Sequence, residues 1–126
     1  MVKTTTNSIE FTDKGIIISR MKTRSGFKKV YVIEQANSIN HEFHGVKKPL
    51  LLDLTRIEKS SLEEVMSLLS EETIGISSAI GILINSSFQK LVLNTYLNFK
   101  TKSNCPVQAF VNNNEAQSWL ERYVAA

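Results

Sequence analysis

The sequence predicts an α/β fold in which a mixed, mostly parallel sheet is packed with about four helices. Residues 50–54 and 79–84 are apolar at nearly every position, which is typical of parallel strands buried on both faces. Around them, apolar residues recur at helical spacing. Strands that alternate with helices form parallel sheets through right-handed crossovers, so the order of these segments indicates the fold class.

A β-hairpin is predicted at the start of the chain. Ile9 and Phe11 alternate with polar neighbours, Asp13-Lys14-Gly15 forms a turn, and residues 16–20 form the second strand. This hairpin would give the sheet an antiparallel edge. Residues 1–7 are polar and threonine-rich, and we expect them to be disordered or frayed.

Four helical segments alternate with the remaining strands, the last of which is predicted at residues 107–111. Gly45 is expected to cap the first helix, and Ser86 or Ser87 the third. The predicted helices and their buried residues are 27–44 (Val32, Ala36, Ile39, Phe43), 61–72 (Leu62, Val65, Met66, Leu69), 87–99 (Phe88, Leu91, Val92, Thr95, Tyr96, Phe99) and 113–124 (Ala116, Trp119, Leu120, Tyr123).

Composition predicts a single domain over residues 1–126. The chain is 42% hydrophobic and 21% charged, as in ordinary globular proteins, and is long enough to fold without a disulfide or a metal.

Cys105 is the single cysteine, which fits a reducing cytoplasm. The polar start argues against a secretory signal, and apolar runs of about six residues fall short of the ~20 of a membrane span. We expect a cytoplasmic protein without a cofactor.

Several segments, in this order, give the chain a family resemblance. They are PLLLDLT at 49–55, Ser60-Ser61-Leu62, IGILIN at 80–85, VQAF at 107–110 and EAQSWL at 115–120. With these segments the chain resembles the STAS-like group of small bacterial domains, over about residues 8 to 124. That group contains the anti-sigma-factor antagonists of sporulation and uncharacterised cytosolic relatives. The resemblance implies a STAS-like fold, and for the uncharacterised relatives it implies no activity.

The resemblance also implies a regulatory phosphoacceptor. In the antagonists, a serine in an Asp-Ser-Ser/Thr-Gly segment at a helix start is phosphorylated by the partner kinase, and this switches partner binding. Here Asp53-Leu54-Thr55 and then Ser60 and Ser61 stand at corresponding places. Lys59 and Leu62 stand where the pattern has Asp and Gly, and the intervening turn is shorter.

Read by themselves, the two serines are better helix caps than switches. Ser60 with Glu63 fits a capping box, and so does Ser61 with Glu64. A phosphate at this helix start would meet free N–H groups, but Glu58 and the two helix glutamates would repel it. We therefore favour capping and keep phosphorylation as the alternative.

Basic residues are concentrated early in the chain, where residues 14–33 contain six of them and no acidic residue. Arg24 precedes a predicted helix start, with Lys28 and Lys29 beside it, so an anion or an acidic partner is one possibility. Nucleic acid is disfavoured because the net charge is only +3 and there is no run of interleaved aromatic residues. A solvated basic face is the simpler interpretation.

Two histidines, His41 and His44, lie three residues apart on the first helix. Zinc normally requires a third Cys, His or carboxylate ligand, and no such residue stands at a suitable spacing. We expect exposed histidines near the helix C-terminus, where a positive charge is favourable, and no metal site.

The third helix is apolar over more than half its circumference. Leu93 and Leu97 lie on a face other than its predicted buried stripe, so the helix is either buried on two sides or forms a contact. Extra core, a homodimer or partner interface, and an apolar ligand pocket remain open. Leu93, Tyr96 and Leu97 are the predicted interface or ligand residues. Distant relatives of this fold class include lipid carriers of the CRAL-TRIO type, as the resemblance implies.

No catalytic constellation stands out in the sequence. Asp53 ends a buried strand, where α/β proteins often place active groups, but it has no visible partner residue. The favoured hypothesis is a non-enzymatic interaction or regulatory module that binds a protein partner or itself as a homodimer. The alternative is a carrier or sensor of a small apolar or lipid-like ligand. We expect no nucleic acid partner and no membrane span.

Overall fold

The computed structural model describes residues 2–99, without the side chain of Phe99, and residues 105–124, and these form a sheet with helices on both faces. The strands are β1 Val2–Lys3, β2 Asn7–Phe11, β3 Ile17–Met21, β4 Lys48–Asp53, β5 Ser77–Leu83 and β6 Val107–Phe110. A 3-10 helix spans Arg24–Phe27, and the α-helices are α1 Lys29–Phe43, α2 Leu62–Ser67, α3 Glu71–Gly75, α4 Ser87–Phe99 and α5 Asn113–Glu121.

The strands lie in the sheet in the order of the chain, β1-β2-β3-β4-β5-β6. The first three pair antiparallel and the last four pair parallel, so β3 belongs to both parts. Gly15, with φ +85°, supplies the left-handed conformation of the hairpin turn. The predicted α/β fold, a hairpin followed by alternating helices and parallel strands, is confirmed.

Two apolar layers cover the sheet. The larger layer lies beneath α1 to α4 and takes Leu50, Leu52, Ile80 and Ile82 from the central strands. The other lies beneath α5 alone and includes Leu51 of β4. Alternate residues of β4 therefore enter opposite layers, as expected for a strand with helices on both sides.

The first residues and the second helix differ from the prediction. Val2–Lys3, expected to be frayed, pairs with β2, because the side chains of Thr4, Thr6 and Asn7 bury a polar network that holds the segment down. The single helix predicted for 61–72 is two helices. Ser70 starts α3 by accepting a hydrogen bond from the backbone N–H of Thr73 at 3.3 Å.

The third predicted helix, α4, packs with the opposite face from the one predicted. Leu93 is fully buried and Leu97 is half-buried against the larger core layer. The predicted buried stripe is instead exposed, 76% at Phe88 and 64% at Leu91. Thr95 is exposed too, and the side chain of Phe99 lies outside the described part of the chain. Both faces are apolar, so apolar spacing alone could not decide between them.

Asn94 is the polar residue that fixes this orientation. Its side-chain amide accepts a hydrogen bond from the backbone N–H of Ala109 at 2.8 Å and donates one to the Ala109 carbonyl at 3.2 Å. The carbonyls of Pro106 and Phe110 accept from the backbone N–H groups of Ile80 and Ile84, on the β5 side, so Ala109 presents its polar groups on the other side. The amide thus occupies the outer edge of β6 in the way a neighbouring strand would.

Among the described residues, the helices are too short or too polar to cross a membrane.

Candidate functional site

The candidate site begins where β4 ends. The Asp53 carboxylate accepts hydrogen bonds from the backbone N–H of Thr55 at 2.9 Å and from its hydroxyl at 2.6 Å, which turns the chain out of the sheet. Leu54 and Ile57 remain buried and anchor the segment that follows. We call residues 55–61 the β4–α2 loop.

Two amide side chains at the start of α4 hold this loop. Asn85 donates to the carbonyl of Thr55 at 2.7 Å. Gln89 donates to the carbonyl of Ser60 at 2.6 Å and to its hydroxyl oxygen at 3.1 Å. Ser86 caps α4 by accepting from the backbone N–H of Gln89 at 3.1 Å, so one of the two predicted caps is found. The loop and the first turns of α4 are therefore joined by direct hydrogen bonds.

Between the β4–α2 loop and α4 lies a groove of about 500 Å³. It sits beyond the carboxyl ends of two adjacent parallel strands, β4 and β5. One side is polar and the other is apolar. Its lining consists of Glu58, Lys59, Ser60, Leu62, Asn85, Ser86, Phe88, Gln89, Val92 and Leu93.

The apolar side of the groove continues onto the outer surface of α4. Phe88, Leu91, Val92 and Tyr96 are 76%, 64%, 37% and 42% exposed, and we call these four residues the α4 stripe. Tyr96, one of the predicted interface or ligand residues, is exposed on this stripe. Leu93 borders the groove but is fully buried, and Leu97 lies toward the core, so neither forms the outer surface.

Ser61 is the N-cap of α2. Its hydroxyl accepts from the backbone N–H of Glu64 at 3.0 Å, and the Glu64 carboxylate accepts from the backbone N–H of Ser61 at 2.9 Å. This capping box confirms one of the two predicted pairings. The pKa of Glu64 is lowered, first by the Ser61 backbone hydrogen bond and then by Arg24. Ser60 does not cap the helix and instead lines the groove.

Of the three basic residues predicted to bind an anion, Arg24 is paired with an acidic side chain. The Arg24 guanidinium contacts both carboxylate oxygens of Glu64 at 2.8 Å and also donates to the carbonyl of Lys59. This pair joins the basic early segment to the first turn of α2, so the charge of Arg24 is already neutralised. Lys28 and Lys29 are exposed beside it.

The remaining predicted positions are dispersed. His41 and His44 are exposed at the end of α1, with ring centroids 6.5 Å apart. In the ranges 2–99 and 105–124, no group of three His, Cys, Asp or Glu side chains is placed to hold a metal ion. Asp53 lies 3.7 Å from the Arg20 guanidinium, which also pairs with Glu10 at 2.7 Å.

Comparison with known protein families identifies the family of this chain. Residues 9–124 match the model of a family described as Domain of unknown function (DUF7793). The chain belongs to this family. Among curated proteins, none matches the chain.

A solved structure shares the fold of this DUF7793 domain. It is an uncharacterised protein of the DUF3478 family, with a SpoIIAA-like fold, from Shewanella loihica PV-4. The two chains are 17% identical, the match covers 95% of this chain and 98% of that one, and the TM-score is 0.56. The likeness confirms the STAS-like fold predicted from the sequence.

Sequence reasoning missed the amides that build the site of this DUF7793 domain. Asn85 comes soon after a buried strand, and Gln89 and Asn94 interrupt the apolar residues of α4. Such interruptions were the available signal, because a polar residue beside buried positions needs a hydrogen-bond partner. Their partners, the loop and β6, are distant in sequence and could not be assigned from spacing.

Proposed function

We propose that this protein is a non-enzymatic interaction or regulatory module that binds a protein partner, either a different protein or a second copy of itself, through the α4 stripe. The observation that carries the proposal is the exposure of Phe88 and Leu91, at 76% and 64%. Contiguous exposed apolar side chains on a surface helix mark protein contacts more often than other sites. The SpoIIAA-like fold of the similar structure is compatible with such a role.

The neighbouring β4–α2 loop gives this surface a second, polar component. Gln89 ties Ser60 to the first turn of α4, so a partner that covers Phe88 would also meet the loop. A phosphate on Ser60 would displace that hydrogen bond and add negative charge beside Glu58, which lies on the same groove. Regulation of partner binding through this loop remains part of the proposal, as does a cytoplasmic location, which the single cysteine supports.

A photo-crosslinking amino acid at Phe88 tests the contact surface. Introduced there in the cells that naturally make the protein, it should give discrete adducts on illumination, because a partner would lie directly against that side chain. The same group at Val30, an exposed valine of α1 on the same side of the sheet, is the matched control. If position 88 gives no adduct beyond those at position 30, the proposed function is wrong.

The groove favours a second candidate, a carrier or sensor of a small apolar or amphipathic ligand. Its volume of about 500 Å³ lies within the range of small-molecule sites. Leu62 and Val92 would contact the apolar part of such a ligand, and Ser60 and Gln89 its polar end. Native mass spectrometry of freshly purified protein should then show an added lipid-sized mass. A clean mass of 14.2 kDa, or of twice that value, contradicts the carrier.

A further inference from the structure

We propose that the protein bound on the α4 stripe is a second copy of this chain, with the two α4 helices crossing antiparallel about a two-fold axis at Val92. This inference rests on the proposed function, because it identifies the partner of the same surface. Three observations support it: the order of side chains along the helix, the absence of charge on its outer half, and the exposed area.

The order of side chains along the outer surface is symmetric. Phe88, Val92 and Tyr96 are four residues apart and form one ridge of the helix. The large aromatic residues flank a small valine that is 37% exposed. In an antiparallel crossing at Val92, Phe88 of each copy meets Tyr96 of the other, and the small central residue permits close approach.

The outer half of α4 carries no charge. Its exposed residues between positions 87 and 98 are Ser87, Phe88, Leu91, Val92, Thr95, Tyr96 and Asn98. A two-fold axis places the residues nearest to it against their own equivalents, so a charge there would oppose a like charge. The one charged residue in this range, Lys90, is half-buried and lies on the other side of the helix. The surface is therefore self-complementary in charge.

The exposed area is large enough to contribute a substantial part of a dimer interface. With 150–250 Å² for each aromatic side chain, Phe88 and Tyr96 leave roughly 240 Å² uncovered at 76% and 42% exposure. Leu91 and Val92 raise this to roughly 400 Å², about half of the ~800 Å² that each partner buries in a standard interface. The adjoining β4–α2 loop lies beside the N-terminal half of α4 and would extend the contact.

The first test is the mass of the full chain in solution. Sedimentation equilibrium at about 100 µM should give twice 14.2 kDa for the wild type. Val92→Glu should give 14.2 kDa at the same concentration, because it places two carboxylates at the axis. Val30→Glu, which introduces the same charge at an exposed valine of α1, should remain dimeric. Leu91→Glu, at a more exposed position, gives a second disruptive variant if thermal melts show that Val92→Glu unfolds.

The second test examines the antiparallel register. Phe88→Lys and Tyr96→Glu should each yield the monomeric mass. The double variant should regain the dimeric mass, because each introduced lysine would face the introduced glutamate of the other copy. Positions 88 and 96 are two turns apart, about 12 Å along one helix, so the charges cannot pair within a copy. The double variant Phe88→Lys/Tyr96→Lys is the control and should stay monomeric.

The outcomes separate this inference from the proposed function. A monomeric wild type, a dimer that Val92→Glu and Leu91→Glu leave intact, or a charge-swapped double variant that stays monomeric overturns the α4–α4 dimer. If the crosslinker at Phe88 then captures a different protein, the proposed interaction surface stands and only the self-association is wrong. An adduct of two copies that is absent from the Val30 control supports both.

Discussion

Helices α1 and α4 cover the same face of the sheet, and their inner halves are alike. Each packs aliphatic side chains against the core and adds one amide, Gln35 in α1 and Asn94 in α4, that hydrogen-bonds a strand. Their outer halves differ. The exposed residues of α1 are Lys29, Val30, Asn37, Asn40, His41 and Glu42, whereas those of α4 are uncharged and include four large apolar side chains.

The difference shows that an apolar helix face does not by itself identify the face that packs against the sheet. In α1 the apolar face is also the buried face, since Val32, Ala36 and Ile39 are both apolar and buried. In α4 both faces are apolar, and the face that packs inward is the one whose amide, Asn94, is hydrogen-bonded. A solvated outer half suits α1, while the outer half of α4 is suited to a partner.

The largest predicted effect is the difference in stability between variants in which an inner or an outer leucine of α4 is truncated. Leu93→Ala should lower the free energy of unfolding by about 2–5 kcal/mol, because Leu93 is fully buried. Leu91→Ala, at 64% exposure, should change it by no more than about 0.5 kcal/mol in the monomer. Urea denaturation at protein concentrations low enough to keep the chain monomeric measures both. Equal costs would mean that the two faces have been assigned incorrectly.

The buried amide of α1 should have the next largest effect. Gln35 is 2% exposed and accepts from the Asn7 amide at 2.9 Å and from the Ser19 hydroxyl. Gln35→Met removes that acceptor and should cost about 1–3 kcal/mol, because buried donors are left with fewer partners.

Asn37→Met, at an exposed position of α1, is the matched control for Gln35→Met. It should change the free energy of unfolding by no more than about 0.5 kcal/mol. Urea denaturation of both variants gives the values. A tolerated Gln35→Met would show that the polar network beneath α1 is not needed for stability.

The sequence was sufficient for those parts of the fold that depend on local patterns. The apolar runs of β4 and β5, the Gly15 turn and the stripe of α1 each carry their own signal. The break between α2 and α3 was missed because the helical spacing of Leu62, Val65, Met66 and Leu69 continues past the end of α2.

The candidate site was only partly accessible to sequence reasoning. Ser61 as a cap could be predicted, because its partner Glu64 is three residues away. The groove could not, because it requires Gln89 of α4 to meet Ser60 of the loop, 29 residues earlier. Likewise, nothing in the local pattern pairs Arg24 with Glu64 or Asn94 with Ala109, so the face of α4 remained ambiguous until the tertiary contacts were known.

The amide of Asn94 in α4 can be tested against that of Gln35 in α1, because the first lies at a sheet edge and the second is buried. Asn94→Ala removes two hydrogen bonds to Ala109 and should lower the free energy of unfolding by about 1–2 kcal/mol. This is less than the upper value for Gln35→Met, because water can reach the groups left unpaired at a sheet edge more easily. Hydrogen exchange at the Ala109 amide should accelerate. Asn98→Ala, on the exposed side of α4, is the control, and an unchanged Ala109 amide in Asn94→Ala would contradict the proposed edge contact.

The smallest predicted effect concerns the β4–α2 loop, the polar neighbour of the α4 stripe. The pKa of Glu64 lies below its ordinary value of 4.5, chiefly because the backbone N–H of Ser61 donates to its carboxylate, with the Arg24 guanidinium adding to the shift. A lowered pKa in the folded state means that the charged form stabilises the fold above pH 4.5 and that this contribution is lost as the pH falls below that value.

Glu64→Gln isolates the contribution of that charge, because glutamine can still complete the capping box. Wild type should exceed the variant in stability at pH 7 by less than about 1 kcal/mol, since the Arg24 pair is solvent-exposed. The difference should shrink as the pH falls below 4.5. Added salt should weaken the part due to Arg24 more than the part due to the Ser61 hydrogen bond. A difference that stays constant over this pH range would mean that the Glu64 carboxylate does not hold the loop against α2, and that the groove wall facing α4 depends on Gln89 and Asn85 instead.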